Sequence, residues 1–309
     1  MAQPIDVPEL VRQRALSNGA AGRSWLDDLP DVVADLAARW DLDVGTAFTG
    51  GTASYVVAAA VSSDRPCVLK VAMPLDMHEA DAFNRSLIAH QLAAGRGCAE
   101  LLRYSDSPPA MLLERLGRNL DDLGMPLPGL LDTVAATLRS FWQPIASAVA
   151  LPTARDQAAW LAAYIESTWN ELGRPCEPAV IDRALDFCAS RSDAFDETQA
   201  VLVHGDAHGW NTLEAGNGQF KFVDPEGLRS QREYDLAIPM REYNEPLLEG
   251  DTQRLVRERA EMLAVACDAD AEAVWEWGFV ERVSTGLANL KEFTGGEGVA
   301  FLEVAGRCL

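Results

Sequence analysis

The chain has 309 residues, of which 48% are hydrophobic, so it can bury a large core, and its length favours two lobes over a single domain. The formal net charge of −21 argues against a nucleic-acid-binding protein, because contact with a phosphate backbone requires clustered Lys and Arg side chains. The same charge would attract a cationic ligand, although it is equally consistent with a solvated acidic surface that only favours solubility.

The first part of the sequence predicts an antiparallel sheet accompanied by helices. Apolar residues recur at helical spacing before the sheet, and two β-rich runs are separated by glycine and polar turns. The predicted elements are a helix over 24–40 with Ser24 as its N-cap, two or three strands within 46–61 and 67–73 with turns at Gly50 and Gly51 and at 62–66, a helix over 78–94, and a strand over 110–116. The order is therefore helix, strands, helix, strand.

After the connector NLDDLGMPLPG the chain becomes mostly helical, which places a domain boundary near 117–128. The predicted elements of this second part are helices over 130–142, 156–172 and 179–191, strands over 201–205, 211–215 and 219–224, and further helices from 230 to 309. A Gly-Asn-Gly turn at 216–218 makes a hairpin of the last two strands. We therefore expect an N-terminal lobe over 1–116 and a C-terminal lobe over 117–309.

The segment VHGDAHGWNT, residues 203–212, carries the strongest chemical signal. Phosphoryl transfer needs a base that orients the attacking hydroxyl and oxygen ligands that hold Mg²⁺ on the nucleotide phosphates. Asp206 can supply the base, and Asn211 and Asp224 can supply the ligands. The spacing D-x-x-x-x-N matches the catalytic loop of protein kinases, and FVDPEG stands where those enzymes carry D-F-G.

The same segment permits a rival interpretation. His204, Asp206 and His208 form an H-x-D-x-H run that could bind a hydrolytic zinc ion. The other two histidines, His78 and His90, lie on the predicted helix of the first part, so a zinc site would have to rely on carboxylates. The alternative role for His204 is structural, in the second shell of the site, where it would hold the loop by hydrogen bonds.

A lysine within an apolar strand is costly to bury without a partner, and this applies to Lys70. Glu79 on the following helix is a fitting partner, and in kinases such a pair anchors the nucleotide phosphates. The alternative is a lysine on an edge strand whose ammonium reaches the solvent. The sequence favours the nucleotide-binding role.

Four further residues are candidates for the site. Ser54, after the glycines, can contact a phosphate or close a local turn. Glu114 and Leu116 in MLLERL can present main-chain groups to adenine. Asp235 in EYDLA opens a helix and can accept backbone amides from its own first turn or from the catalytic loop, which is a structural role.

These pieces together resemble the aminoglycoside and hydroxyurea antibiotic-resistance kinases of the aminoglycoside phosphotransferase superfamily, and the streptomycin 6-phosphotransferases in particular. The matching pieces, in chain order, are SWLDDLPDVVADLAARWDL, TGGTASYVV, VLKVAMP, HEADA, MLLERL, VHGDAHGWN, FVDPEGL and EYDLA. The resemblance implies a protein-kinase-like α+β fold with a sheet-bearing N-lobe, a helical C-lobe and ATP between them.

The resemblance also implies the reaction, which is transfer of the γ-phosphate of ATP to a hydroxyl of a small molecule. The expected acceptor is a streptomycin-like aminoglycoside, whose phosphorylation confers antibiotic resistance. Hydroxyurea and a metabolite such as an amino sugar remain open as acceptors. A metallohydrolase and a non-catalytic nucleotide-binding protein are the remote alternatives.

Composition also bears on the setting of the protein. The six cysteines include no CxxC pair, the start MAQPIDVPEL has no apolar signal core, and no run approaches the ~20 apolar residues of a membrane span. We expect a cytoplasmic protein that is a monomer or a homodimer, with a small-molecule acceptor as its partner and neither nucleic acid nor membrane.

Overall fold

The computed structural model describes residues 5–49, 54–61, 65–74, 81–293 and 296–309. The chain divides into two compact units, Met1–Gly117 and Arg118–Leu309. Within these residues, the first unit contains one antiparallel sheet with three helices, and the second is mainly helical with two short strand pairs.

The first unit is built on a five-stranded sheet in the order β1-β2-β3-β5-β4, in which every neighbouring pair is antiparallel. Its elements are α1 Glu9–Ser17, α2 Gly19–Trp40, β1 Leu42–Ala47, β2 Ser54–Val61, β3 Arg65–Ala72, α3 Ala82–Ala93, β4 Leu101–Asp106 and β5 Pro109–Glu114. The predicted helix over 78–94 is therefore seen as α3, while residues 75–80 lie outside the described part of the chain.

One face of the sheet is buried under α2. Leu29, Val33 and Leu36 recur along one side of this helix and pack in the same core as Val57 of β2 and Leu69 of β3. Alternation along β3 places its neighbours Cys67 and Val71 on that buried face as well. The sheet is thus anchored by its apolar face to the helix that precedes it.

The prediction of Ser24 as the N-cap of this helix is wrong, because α2 already begins at Gly19. Gly22 lies against α1 so closely that an added Cβ would stand 1.7 Å from the carbonyl oxygen of Ala15. The close packing of α1 on α2 stabilises the extra turn, and local sequence signals do not report such a contact. The strand β4, in the polar stretch LLRYSD, was also not predicted.

The second unit consists of eight helices and four short strands within its described residues. These are α4 Leu127–Phe141, α5 Ala154–Glu171, α6 Pro178–Ala194, β6 Val201–Val203, β7 Thr212–Gly216, β8 Gln219–Phe222, β9 Leu228–Ser230, α7 Arg232–Arg241, α8 Asn244–Leu248, α9 Thr252–Cys267, α10 Ala271–Glu292 and α11 Glu297–Arg307. The strand β9 was not predicted, because three residues give no periodic signal.

The strands of this unit form two antiparallel pairs, β6 with β9 and β7 with β8. The helix α10 is buried along most of its length, with Trp277, Phe279 and Val283 in the core, and it packs against α5, α6, α7, α9 and α11. Among the described helices, none combines the length and the apolar character that crossing a bilayer requires.

Candidate functional site

The loop between β6 and β7 leaves the strand through a left-handed turn. Gly205 has a φ of +89°, a conformation that side-chain-bearing residues rarely adopt. An added Cβ there would also stand 3.0 Å from the Cβ of Glu226. The turn directs Asp206 away from the strand, and the hairpin of β7 and β8 then returns the chain to Asp224, which is itself left-handed with a φ of +57°.

Asp235 holds the start of this loop from helix α7. Its carboxylate accepts the backbone N–H groups of His204 at 2.8 Å and Gly205 at 2.7 Å, and the indole N–H of Trp142 at 2.8 Å. Burial raises the pKa of Asp235 to about 6, while the donated hydrogen bonds act in the opposite direction. Of the two origins that the sequence left open for these amides, the structure shows the loop that follows β6.

His204 ties the loop to the end of the hairpin. Its Nε2 atom lies 2.9 Å from the carbonyl oxygen of Val223, and its Nδ1 atom accepts the backbone N–H of Asp206 at 3.2 Å. Since a carbonyl only accepts and an N–H only donates, the proton of the neutral ring is on Nε2. Complete burial lowers the pKa of His204 to about 4, so the ring is neutral near pH 7.

Asp206 is held on both carboxylate oxygens. Oδ1 lies 3.1 Å from Nη2 of Arg241, and Oδ2 lies 3.1 Å from Nε2 of His208 and 3.0 Å from Nδ2 of Asn211. Burial raises the pKa of Asp206, but the charges of His208 and Arg241 outweigh it and hold that pKa below its usual range. The side chain is 32% exposed, so an ionised carboxylate remains accessible to a substrate.

The sequence did not indicate Arg241 or two of its partners, Glu242 and Glu281. The guanidinium is mostly buried and contacts three carboxylates, on Asp206, Glu242 and Glu281, with nitrogen–oxygen distances of 3.1, 3.0 and 2.7 Å. Arg241 is 35 residues from Asp206 in the sequence. A contact of this range between α7 and the loop leaves no local pattern.

The two predicted metal ligands, Asn211 and Asp224, lie on segments that are joined by a backbone hydrogen bond. Asn211 turns its amide nitrogen to Asp206, which leaves its side-chain oxygen for a cation. The backbone N–H of Val223 donates to the carbonyl of Asn211 at 2.9 Å, and the next residue is the exposed Asp224. An amide oxygen and a carboxylate fit Mg²⁺, which binds few protein ligands and completes its shell with phosphates and water.

A zinc site receives less support. In the part of the chain that the structure describes, no group of three or more His, Cys, Asp and Glu side chains is arranged to hold a metal ion. His204 is engaged with Val223, and His90 in the first unit lies against the carbonyl of Ala99 at 3.0 Å. His78 lies outside the described residues. The H-x-D-x-H run is thus a hydrogen-bonded loop.

The predicted nucleotide-binding residues lie in the first unit. Lys70 is half-buried on the central strand β3, paired with Val56 of β2 and Met111 of β5. It therefore does not lie on an edge strand. Glu79, the expected partner of Lys70, lies outside the described residues.

The other predicted contacts of this unit flank the same sheet. Ser54 is buried at the start of β2, opposite Ala72 of β3. Glu114 ends β5 and accepts the backbone N–H of Glu100 through its carboxylate at 2.8 Å, and Leu116 follows half-buried. The strand β5 ends at Glu114, and the main chain of 115–116 follows it directly.

A cavity of about 480 Å³ opens within the second unit, and its wall includes His208 and Arg241, two residues that contact Asp206, although Asp206 itself is not a lining residue. Acidic and aromatic side chains are prominent in its wall, which includes Asp121, His208, Trp210, Arg241, Glu242 and Tyr243. Trp210 belongs to the loop between β6 and β7 and is 62% exposed. Tyr243 donates its hydroxyl to Asp121 at 2.6 Å and fixes that carboxylate at the wall.

Comparisons with known proteins identify the family of this chain. The sequence profile of a family described as aminoglycoside/hydroxyurea antibiotic resistance kinase matches residues 39–291. Streptomycin 6-kinase of Streptomyces griseus is 26% identical over 297 residues, which cover 93% of this chain and 92% of that protein. Hydroxyurea phosphotransferase of Kitasatospora aureofaciens is 26% identical over 240 residues, which cover 75% of this chain and 67% of that protein.

Solved structures show the same fold. Choline kinase LicA of Streptococcus pneumoniae aligns with a TM-score of 0.59 at 11% identity, over 90% of this chain and 97% of that chain. The prediction of a protein-kinase-like α+β fold is confirmed, and so is the predicted family. The chain belongs to the aminoglycoside/hydroxyurea antibiotic resistance kinase family and is a small-molecule kinase.

Proposed function

We propose that this kinase transfers the γ-phosphate of ATP to a hydroxyl of a streptomycin-like aminoglycoside and thereby confers resistance. The observation that carries the proposal is the cavity beside Asp206, whose wall combines Asp121 and Glu242 with the exposed ring of Trp210. Carboxylates attract the cationic groups of an aminoglycoside, and an aromatic face accepts a cation or the apolar face of a sugar ring.

The size of the cavity also favours this acceptor class. A volume of about 480 Å³ lies in the usual range of pockets for ligands of drug size. Hydroxyurea is a small neutral molecule that would fill little of this space and would bring no cation to the carboxylate of Asp121. A hydroxyurea kinase and an amino-sugar kinase remain the alternatives that the acceptor screen below distinguishes.

In the proposed mechanism, Asp206 orients the acceptor hydroxyl and accepts its proton as the oxygen attacks the γ-phosphorus. The pKa of this carboxyl, held low by His208 and Arg241, keeps it ionised at neutral pH and available as an acceptor. Positioning and charge neutralisation carry most of the catalysis in phosphoryl transfer. The inherent basicity of Asp206 is therefore less important than its location.

The nucleotide is bound by residues of the first unit in this proposal. Lys70, with Glu79 as its partner, binds the phosphates, Ser54 contacts a phosphate, and the main chain at Glu114 and Leu116 contacts the base. A central strand gives Lys70 a fixed backbone, which suits a residue that positions phosphates. Asn211 and Asp224 hold Mg²⁺, which neutralises charge on the nucleotide phosphates when it is bound.

We place the reaction in the cytoplasm, where ATP is available, and propose a monomer or a homodimer that binds neither nucleic acid nor membrane. All six cysteines are free thiols, in agreement with a reducing compartment. Burial raises the pKa of the thiols of Cys188 and Cys267 to about 12 and about 11, so neither is a reactive nucleophile.

The test is an acceptor screen with radiolabelled ATP and purified protein. The panel contains streptomycin, other aminoglycosides, hydroxyurea and amino sugars, and Asp206→Asn is the matched control. Label transfer to streptomycin by the wild-type protein, with strong loss in Asp206→Asn, supports the proposal. Transfer to hydroxyurea or a neutral sugar alone would replace the proposed acceptor, and equal transfer by Asp206→Asn would remove the proposed base.

A further inference from the structure

Side chains from two different elements contact the two oxygens of the Asp206 carboxylate. His208 and Asn211, both from its own loop, contact Oδ2. Arg241, from the end of helix α7, contacts Oδ1 through Nη2 at 3.1 Å. Carboxylate torsions are broad when nothing restrains them, so a contact on the second oxygen restricts rotation of the group. The restraint on Oδ1 comes from a different element than the restraint on Oδ2.

Arg241 is itself held by a buried carboxylate. Its Nη1 atom donates to Oε2 of Glu281 on α10 at 2.7 Å, and Glu281 is only 6% exposed. The other carboxylate oxygen of Glu281 accepts the hydroxyl of Tyr234 at 2.6 Å, and that hydroxyl accepts the amide of Gln157 on α5 at 2.7 Å. The chain of contacts therefore runs from the core helices α5 and α10 to the catalytic loop.

We propose that Arg241 is a positioning residue for phosphoryl transfer, whose guanidinium, anchored by Glu281, fixes the Asp206 carboxylate in the orientation that receives the acceptor hydroxyl. This inference rests on the proposed role of Asp206 as the base. A displacement of about 1 Å at a reacting group lowers the rate by about 10²-fold. Loss of the contact on Oδ1 permits a displacement of this size.

Arginine is required for this task by its geometry. Three different nitrogens, Nη2, Nε and Nη1, contact Asp206, Glu242 and Glu281 respectively. A lysine has one compact ammonium and cannot reach three carboxylates in a plane. Arg241→Lys therefore keeps the charge while losing the geometry, and it separates an electrostatic role from a positioning role.

The experiment uses Arg241→Met, Arg241→Lys and Glu281→Gln, each in the wild-type protein and in Asp206→Asn. The matched control is Arg191→Met, which breaks another buried arginine–glutamate pair, with Glu276 of the same helix α10 at 2.6 Å. The measurements are kcat and KM for streptomycin and ATP, the affinity for ATP by calorimetry with Mg²⁺ present, and the thermal unfolding midpoint.

We expect Arg241→Met to lower kcat by about 10²-fold with unchanged affinity for ATP. Arg241→Lys should show most of the same loss, because it restores the charge without the three contacts, and full recovery by Arg241→Lys would indicate an electrostatic role instead. Arg191→Met should lower the unfolding midpoint without lowering kcat. In the Asp206→Asn background, Arg241→Met should have no further effect on kcat, because the carboxylate that it positions is gone. A purely structural role would give the same fractional loss in both backgrounds.

Two outcomes would overturn the inference. One is an equal loss of kcat from Arg241→Met with and without Asp206, and the other is an unchanged kcat. If Arg241→Met does not fold, Glu281→Gln carries the test, with an expected several-fold loss of kcat that vanishes in Asp206→Asn; an unchanged kcat would again overturn it. Near-wild-type turnover by Asp206→Asn alone would instead refute the proposed base, so the two failures are distinguishable.

Discussion

His204 donates the proton of its Nε2 atom to the carbonyl oxygen of Val223 at 2.9 Å. The contact joins the loop that carries Asp206 to the backbone immediately before Asp224, so the two proposed functional carboxylates are held by one buried ring. Only the neutral ring can make this contact together with the one to the backbone N–H of Asp206, because Nδ1 must accept. Protonation of His204 in the folded protein would break the second contact.

The first prediction follows from the pKa of His204, which burial lowers to about 4 from an ordinary value near 6.5. Between these values the unfolded chain binds the proton and the folded chain does not. Above about pH 6.5 His204 is neutral in both states and does not lower the free energy of unfolding. As the pH falls from about 6.5 to about 4, the free energy of unfolding decreases progressively by about 3 kcal/mol. Denaturant unfolding at a series of pH values measures this loss.

The matched variant for this prediction is His204→Gln, which keeps a neutral polar side chain but does not titrate. The difference in unfolding free energy between wild type and variant should shrink as the pH falls from 6.5 to 4. Taking the difference cancels the contributions of Asp206 and His208, which titrate in both proteins. A difference that is constant over this range would contradict a neutral buried His204.

The second prediction separates the two proposed functional aspartates. Asp206→Asn should leave the affinity for ATP nearly intact while lowering kcat by about 10² to 10⁴-fold, since it removes the acceptor of the hydroxyl proton. Asp224→Asn should weaken the binding of the Mg²⁺–nucleotide complex as well, because it removes a charge that faces the cation. Calorimetry with ATP across a Mg²⁺ titration gives the affinities, and steady-state assays give kcat. Equal nucleotide affinity in both variants would contradict the assignment of Asp224.

The third prediction concerns the metal itself. Hard oxygen ligands such as those of Asn211 and Asp224 suit hard cations, so turnover should stop on chelation and return with Mg²⁺ or Mn²⁺. The purified protein should carry little zinc by elemental analysis. Stoichiometric zinc that resists dialysis would instead revive the hydrolytic interpretation of His204 and His208.

The fourth prediction tests the wall of the cavity at Gly209. A Cβ at this position would stand 2.5 Å from both carboxylate oxygens of Asp121. Since these atoms are the end of a side chain, Gly209→Ala should displace Asp121 and break its hydrogen bond from Tyr243 without preventing folding. We expect a higher KM for the aminoglycoside with an unchanged affinity for ATP. Gly306→Ala is the control, because its Cβ would meet Val180 at an ordinary 4.0 Å; equal KM values in both variants would contradict a role for Asp121.

The fifth prediction is a dependence of KM on salt. Asp121 and Glu242 place two carboxylates in the cavity wall, and the positive charge of Arg241 in the same wall is shared among Asp206, Glu242 and Glu281, in a chain of net charge −21. Screening shortens the reach of exposed charges to roughly 10 Å at 0.1 M salt. KM for a cationic acceptor should therefore rise with added salt, and KM for ATP measured at the same salt concentrations corrects for effects on the nucleotide. A KM for the acceptor that does not change with salt would show that the acidic residues do not attract the acceptor.

The part of the site that lies in one continuous segment could be predicted from the sequence. Asp206 and Asn211 are five residues apart in a loop between strands, and their proximity follows from that spacing. The hairpin signal GNG likewise predicted that the chain returns toward Asp224. Local patterns therefore located the loop, while the roles proposed for its residues stay predictions.

The rest depends on contacts between distant segments. Arg241 reaches Asp206 from α7, and Tyr243 reaches Asp121 across 122 residues of sequence. In the sequence, these two residues cannot be distinguished from an arginine and a tyrosine on the surface, because only the packing of the helices brings them to Asp206 and Asp121. Two elements were missed for other reasons: the three-residue strand β9 is too short to give a periodic signal, and the early start of α2 reflects the close packing of Gly22 on α1.

The residues that hold the backbone of the loop differ from those that line the cavity, and this difference decides which positions can change independently. Asp235, Trp142 and Val223 secure the loop backbone, and none of the three is among the described residues that line the cavity beside Asp206. Wall positions that do not contact Asp206, such as Trp210, can therefore change the shape of the cavity while the loop backbone stays in place. His208 and Arg241 do not have this freedom, because each lies in the wall and also contacts Asp206, so a change there alters the cavity and the carboxylate together.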